Sequence, residues 1–208
     1  MIDSIRSQNI TGLICIDLWE DDPYSEHASW KNEKYLDWSI HLVEALFKQE
    51  WHSIINACYG VEINYEDVSV FNTLLEYNWK NHDSQIMDEF IKNTHTLIPP
   101  KKLKELFRYV QFDRSFLLYS VESFLKHKAK FCPEVNNWLI VGAAWQICVH
   151  SRDLGLVNLN KIKNEFGLQI YGSPSGFFKT DSTTTDDDFV RDHRVNWKKV
   201  ADELYIMI

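Results

Sequence analysis

No apolar run in this chain approaches the roughly 18 residues that a membrane-spanning helix needs. The polar start, Met1 to Asn9, carries no signal-peptide pattern. Both absences point to a cytoplasmic protein with no membrane partner. No Cys-x-x-Cys pair occurs among Cys15, Cys58, Cys132 and Cys148. Three of the four sit in or beside apolar runs, which suits reduced thiols better than a disulfide framework or a zinc site. Neither a G-x-G-x-x-G turn nor a P-loop is present, so nothing encourages a nucleotide-binding reading. Positive charge is not in excess either: the formal net charge is -8, which argues against wholesale nucleic-acid binding. His82 and Asp83 have no second pair at ligand spacing nearby, so no metal site and no cofactor is expected. No repeat, linker or domain boundary stands out.

What is present is enough for one domain with a sizeable core: 208 residues, 45% hydrophobic and 25% charged. Eight Trp and twelve Phe are many for this length. Large aromatics fill a core or line a pocket for a flat ligand, and core is the commoner use.

Strand-like runs alternate with helical periodicity. Thr11 to Leu18 reads as a buried strand ending in Asp17. From Ser29 to Gln49, Leu36, Ile40, Val43 and Phe47 recur on one helical face, with Ser29 as N-cap. Ser53 to Tyr59 is a second strand, and strand–helix–strand at this spacing is a βαβ unit with parallel strands. Glu66 to Lys92 reads as a helical excursion, followed by the Pro99-Pro100 break and a third strand, Phe107 to Phe112. A helix over Arg114 to His127, capped by Asp113, leads to a fourth strand beginning at Trp138. A helix from about Gln146 to Asn158, a fifth strand at Leu168 to Tyr171, the Gly172 to Gly176 turn, an acidic loop and a final helix over Arg191 to Tyr205 complete the chain. The pattern predicts an α/β fold: a three-layer α/β/α single domain spanning 1–208, with a mostly parallel sheet of five or six strands.

In such a sheet the carboxyl ends of the strands share one rim, the usual ligand crevice. That rim gathers Asp17, the end of the third strand near Gln111 to Arg114, and Cys148. Cys148 follows an apolar strand and the small residues Gly142, Ala143 and Ala144, at the start of an expected helix. Unpaired N–H groups there stabilise a thiolate, the reactive form. The plainer alternative is that Cys148 is a small buried apolar residue.

The run Gly142-Ala143-Ala144-Trp145-Gln146-Ile147-Cys148-Val149 resembles the G-x-A-x-x-x-C-V motif of the isochorismatase-like cysteine hydrolases, a superfamily that includes nicotinamidases and other small-amide hydrolases. Leu13-Ile14-Cys15-Ile16-Asp17 resembles its first strand. The likeness extends from about Gly12 to Phe178, much of it in strand order and spacing. It implies Asp17 as proton acceptor, Cys148 as nucleophile, and a cis peptide at Ala143-Ala144 shaping an oxyanion hole made by the amides of Ala144 and Cys148. It also implies a lysine at the end of the third strand. Matching Ser115 and Phe116 to the segment after that lysine puts its position at Val110 to Asp113, with Gln111 the best single alignment, and no lysine stands there. Gln111 can hydrogen-bond a ligand but carries no charge. Arg114 is near, but a guanidinium is a poor proton shuttle because it does not readily give up its proton. Trp145-Gln146 stands where the family has a small polar residue and an acid, so Trp145 either narrows the pocket or packs. The Asp-x-His metal pattern of the nicotinamidase branch is absent from Asn56 to Asn64.

The resemblance therefore implies a cysteine hydrolase acting on a small amide or related planar substrate, with Trp19 and Trp145 contacting it. The missing lysine motivates an alternative, an inactive fold kept as a ligand-binding or assembly module. The expected partner is a small molecule, and homo-oligomerisation is left open.

Overall fold

Strand β1, Gly12–Ile16, is buried along its whole length, and so is β2, Ser53–Ala57. Strands covered on both faces are spelled as unbroken apolar runs, as these nearly are. The computed structural model of the chain describes residues 1–16, 33–57, 114–118, 120–143, 145–178, 185–192 and 194–208. Within them the other strands are β3 Ser115–Leu117, β4 Asn137–Gly142, β5 Gln169–Gly172, β6 Trp197–Ala201 and β7 Leu204–Met207. All seven form one sheet in the order β3-β2-β1-β4-β5-β7-β6. The first five positions are parallel; β7 pairs antiparallel with both β5 and β6. The fold is thus α/β with a mixed sheet.

The two-residue alternation of the strands sorts their side chains onto two faces. Leu13, Cys15, Ile54, Leu139 and Val141 pack with Ile5 of helix α1 (Ile2–Ser7) and with Leu42, Val43, Leu46 and Phe47 of α2 (Glu33–Phe47). Ile14, Ile16, Ile55, Trp138 and Ile140 pack instead with Phe124 of α3 (Val121–Phe131), with Leu156 and Leu159 of α4 (Leu156–Ile162), and with Phe189 of α5 (Asp186–Arg191). Each fully buried Leu or Ile contributes about 1.5–3 kcal/mol relative to exposure. The split has a topological cause. The chain steps from β1 to β2 in one direction and from β4 to β5 in the other. Crossovers that keep one hand must change face when they change direction.

Several expected elements differ. Among the described residues there are seven strands rather than five or six, and the mostly parallel sheet is completed by an antiparallel pair, β7 and β6. Where a helix was expected from Arg114, Ser115–Leu117 is a strand. The helix starts later because Ser120, in extended conformation, caps it by accepting from the Ser123 N–H at 3.1 Å. The helix expected over Gln146 to Asn158 is two pieces, a π-turn at Trp145–Val149 and α4. A Cβ on Gly155 would stand 2.7 Å from the carbonyl oxygens of His150 and Arg152, so the chain folds back against the end of the first piece there. The helix expected over Arg191 to Tyr205 is the β6–β7 hairpin. Its tight turn carries Glu203 at φ 54, a left-handed conformation that helical periodicity cannot reveal. The last part of the expected acidic loop is instead helical: Asp186–Arg191 is α5, begun by a reciprocal capping box between Thr185 and Asp188. The excursion at Glu66 to Lys92, the Pro99-Pro100 break and the strand at Phe107 to Phe112 lie outside the described residues.

Gly142, the last residue of β4, pairs in register with Ile16. A Cβ there would collide with the Ile16 carbonyl oxygen and come within 2.9 Å of the Ile16 Cβ. Gly142→Ala is expected to lower unfolding free energy by about 1–3 kcal/mol, as overpacking of a tight core does. Urea denaturation measures it, and an unchanged midpoint would mean the two backbones are not in contact.

Candidate functional site

The strand order reverses between β1 and β4. At such a switch point the connections leave in opposite directions and open a crevice beyond the carboxyl ends. Here those ends are Ile16 and Gly142, neighbours in register. The Ala143 N–H donates to the Ile16 carbonyl at 3.0 Å. On the other side, the Phe178 N–H donates to the Gly142 carbonyl at 3.0 Å, and the Trp145 N–H donates to the Phe178 carbonyl at 2.9 Å. The chain leaving β4 is therefore clamped between β1 and the segment after β5. The amides on either side of position 144 are both engaged.

Beyond the clamp comes the π-turn, Trp145–Val149. In an α-helix, Trp145, Cys148 and Val149 would share one face. A π-turn spans five residues rather than four. It brings Trp145, Val149 and His150 to the inside, all buried, and leaves Cys148 partly buried at the edge of the same core cluster. Such turns recur at functional sites. The other two described cysteines are different. Cys15 and Cys132 are buried. Burial pushes the Cys15 thiol far above its ordinary range and the Cys132 thiol up to about 11, with a Ser53 hydrogen bond opposing the latter. Thiols held protonated in this way are inert. Of the described cysteines, Cys148 is the one whose surroundings leave it accessible.

Trp145 was expected either to narrow a pocket or to pack, and it packs. It is 2% exposed, with ring centroids of Phe177 at 4.5 Å, Phe189 at 5.4 Å and His150 at 4.5 Å. This corrects its assignment as a substrate contact. Asp17, Trp19, Gln111 and Ala144 lie outside the described residues, and so does the Ala143-Ala144 peptide. Asp17 follows Ile16 directly, at the end of the strand that abuts Gly142. Arg114 is at the opposite end of the sheet. Its Nη1 donates to the Trp51 carbonyl at 2.9 Å, ahead of the amino end of β2.

Comparison with family models, with curated proteins and with solved structures finds no match to this chain. The site is accordingly read from its own geometry. Among the described residues, no group of three or more His, Cys, Asp or Glu side chains is placed to hold a metal ion. No described helix is long and apolar enough to cross a membrane.

Two groups near the rim escaped the sequence reading. The first is apolar. Ala143 and Phe178 are buried against Trp38 of α2, whose ring lies 5.3 Å from that of Phe178 and whose indole N–H donates to the Ser175 carbonyl at 2.9 Å. Trp38 was lost among the polar positions of an amphipathic helix. The second is polar. His150 is fully buried, with Nε2 2.9 Å from Asp192 Oδ2. That is hydrogen-bonding distance but poor alignment, so neither ring nitrogen makes a well-formed hydrogen bond among the described residues. Burial lowers the His150 pKa to about 4; Asp192 opposes the shift and the charge of Arg194 reinforces it. Asp192 was hidden because a helix was expected to begin at Arg191. At the other edge of the sheet His127, also buried, meets the Ser53 hydroxyl at 3.0 Å, and burial holds its pKa down to about 4.

Both imidazoles are neutral in the folded chain down to about pH 4, whereas the unfolded chain takes up protons near the ordinary value of 6.5. The unfolded state thus binds more protons between these values, so stability is lost as pH falls from about 6.5 to about 4. Urea midpoints measured across that window are expected to drop, and His127→Gln is expected to flatten the drop. An equally steep profile in the variant would show that His127 is not the buried neutral group described.

Proposed function

We propose that the chain is a three-layer α/β/α single domain working as a cysteine hydrolase of isochorismatase-like type on a small amide or related planar substrate. The observation that carries this reading is the switch point. It sets the end of β1, one residue before Asp17, against the end of β4, where the π-turn leaves Cys148 half-exposed. In the proposed reaction Asp17 takes the Cys148 proton and the thiolate attacks the substrate carbonyl carbon. The amides of Ala144 and Cys148 receive the developing negative charge on oxygen. Collapse breaks the C–N bond, and the proton held on Asp17 goes to the departing amine. Water activated by Asp17 then cleaves the acyl thioester, releasing the acid and restoring the thiol. Trp19 would contact the substrate, and Gln111 would stand at or near the family lysine position without its charge. No cofactor takes part. The setting is the cytoplasm and the partner a small molecule.

Intact-protein mass spectrometry after exposure to a substrate-like electrophile is expected to show one adduct, located at Cys148 and lost in Cys148→Ala. Steady turnover of small amides is expected to fall by several orders of magnitude in Asp17→Asn, as for other members of cooperating catalytic sets. An unmodified Cys148 in the folded protein, with no turnover, would sink the hydrolase reading.

A second reading keeps the fold and drops the chemistry. Arg114 is the cation nearest in sequence to the vacant lysine position, yet its guanidinium donates to the Trp51 carbonyl ahead of the amino end of β2. That favours a ligand-binding or assembly module. Ligand-induced thermal shifts without turnover, alongside an ordinary Cys148 thiol pKa, would select it.

A further inference from the structure

His150 follows the π-turn directly and is fully buried. Its ring meets Trp145 edge-on, with centroids 4.5 Å apart and planes at 72°. Its Nε2 lies 2.9 Å from Asp192 Oδ2. Asp192 is itself fixed: Arg194 donates from Nε to Oδ1 at 3.0 Å, from Nη2 to Oδ2 at 2.7 Å, and from its backbone N–H to Oδ1 at 3.1 Å. The carboxylate is gripped by a guanidinium fork, a geometry with little freedom. His150 therefore docks on a rigid acceptor supplied by the segment between α5 and β6.

Trp145 and His150 are five residues apart, the span of one π-turn. In an α-helix, residues five apart point about 140° away from each other around the axis. The ring contact thus belongs to the wide turn and would be lost in the narrow one. The same change of register would carry Cys148 back to the face of Trp145 and Val149, which is buried.

We infer that His150, docked on Asp192 and Arg194, is a positioning residue for Cys148: it holds the wide turn and so keeps the thiol at the edge of the core, partly buried rather than enclosed. Its functional meaning rests on Cys148 being the nucleophile of the proposed reaction, but thiol presentation can be read without any reaction. The polar contact sets which register is populated, and the ring contact marks it. Cys15 and Cys132, both buried, report independently on opening of the whole fold.

The test is native-state alkylation of the full chain by iodoacetamide at fixed pH, resolved for each cysteine by peptide mass spectrometry. Wild type is compared with His150→Phe, which keeps a ring of similar size, and with Asp192→Asn, which keeps an acceptor oxygen. In His150→Phe, Cys148 is expected to label about tenfold more slowly, the scale of losing one close polar contact, while Cys15 and Cys132 stay unlabelled. Asp192→Asn is expected to fall between the two. An unchanged or faster Cys148 rate in a variant whose Cys15 and Cys132 stay protected overturns the inference. If His150→Phe labels Cys15 and Cys132 as well as Cys148, Asp192→Asn decides by the same criterion, and general opening there too overturns it. Turnover by wild type is scored separately. Slowed labelling with no wild-type turnover leaves the positioning role standing and removes the hydrolase; turnover with unchanged labelling does the reverse.

Discussion

Everything at the carboxyl rim depends on one close approach, the backbone of Gly142 against that of Ile16. No side chain fits at position 142, because the Ile16 carbonyl occupies the space a Cβ would need. With the two strands pressed together, the Ala143 N–H reaches the same carbonyl, and the chain leaving β4 has a single path out. The segment after β5 closes that path from the other side through Phe178. The sheet order also turns on this pair, since β2 and β3 lie to one side of it and β5, β7 and β6 to the other. Topology alone makes this the point where a crevice is expected, before any residue's chemistry is considered.

The second constraint is aromatic. The ring centroid of Phe189 of α5 lies 4.5 Å from that of Trp197, 4.9 Å from that of Tyr205 and 5.7 Å from that of Phe177, with the rings tilted in each pair. Gly172 leaves room for it, since a Cβ there would stand 3.0 Å from both the Phe189 and the Trp197 rings. This cluster attaches the antiparallel hairpin to the parallel part of the sheet and continues through Trp145 to the π-turn. The turn bearing Cys148 is thus supported by the last part of the chain. Rigidity around this partly buried thiol would serve the proposed reaction, because a nucleophile works only from a defined position.

Legibility in the sequence followed the range of the interactions. Strands β1, β2, β4 and β5 were readable because each is an apolar run bounded by polar or small residues, and α2 because its apolar face repeats. The rest needed distant information. Trp197, Val200 and Leu204 satisfy a helical spacing, and only pairing with β5 decides for a hairpin. Ser115 to Leu117 is a strand because Ile54 to Asn56 lies beside it. At the rim, the cysteine and the small residues before it were visible, as was the aspartate that follows Ile16 in the sequence. The π-turn was not, because one extra residue in a helical turn leaves no local mark. The His150–Asp192–Arg194 group was not, because its members lie far apart in the chain. Trp145, a large aromatic beside a cysteine, suggested a pocket wall and proved to be core.

The reading of function rests on Asp17 and Cys148 opening onto one crevice. Chemical bridging tests that most directly. In an Asp17→Cys variant, a short bifunctional thiol reagent applied to the folded protein is predicted to join position 17 to Cys148 within one chain, seen as a single cross-linked peptide pair, with Cys15 and Cys132 untouched. Separate adducts at the two positions, with no bridge at any reagent length matched to a single crevice, would contradict it.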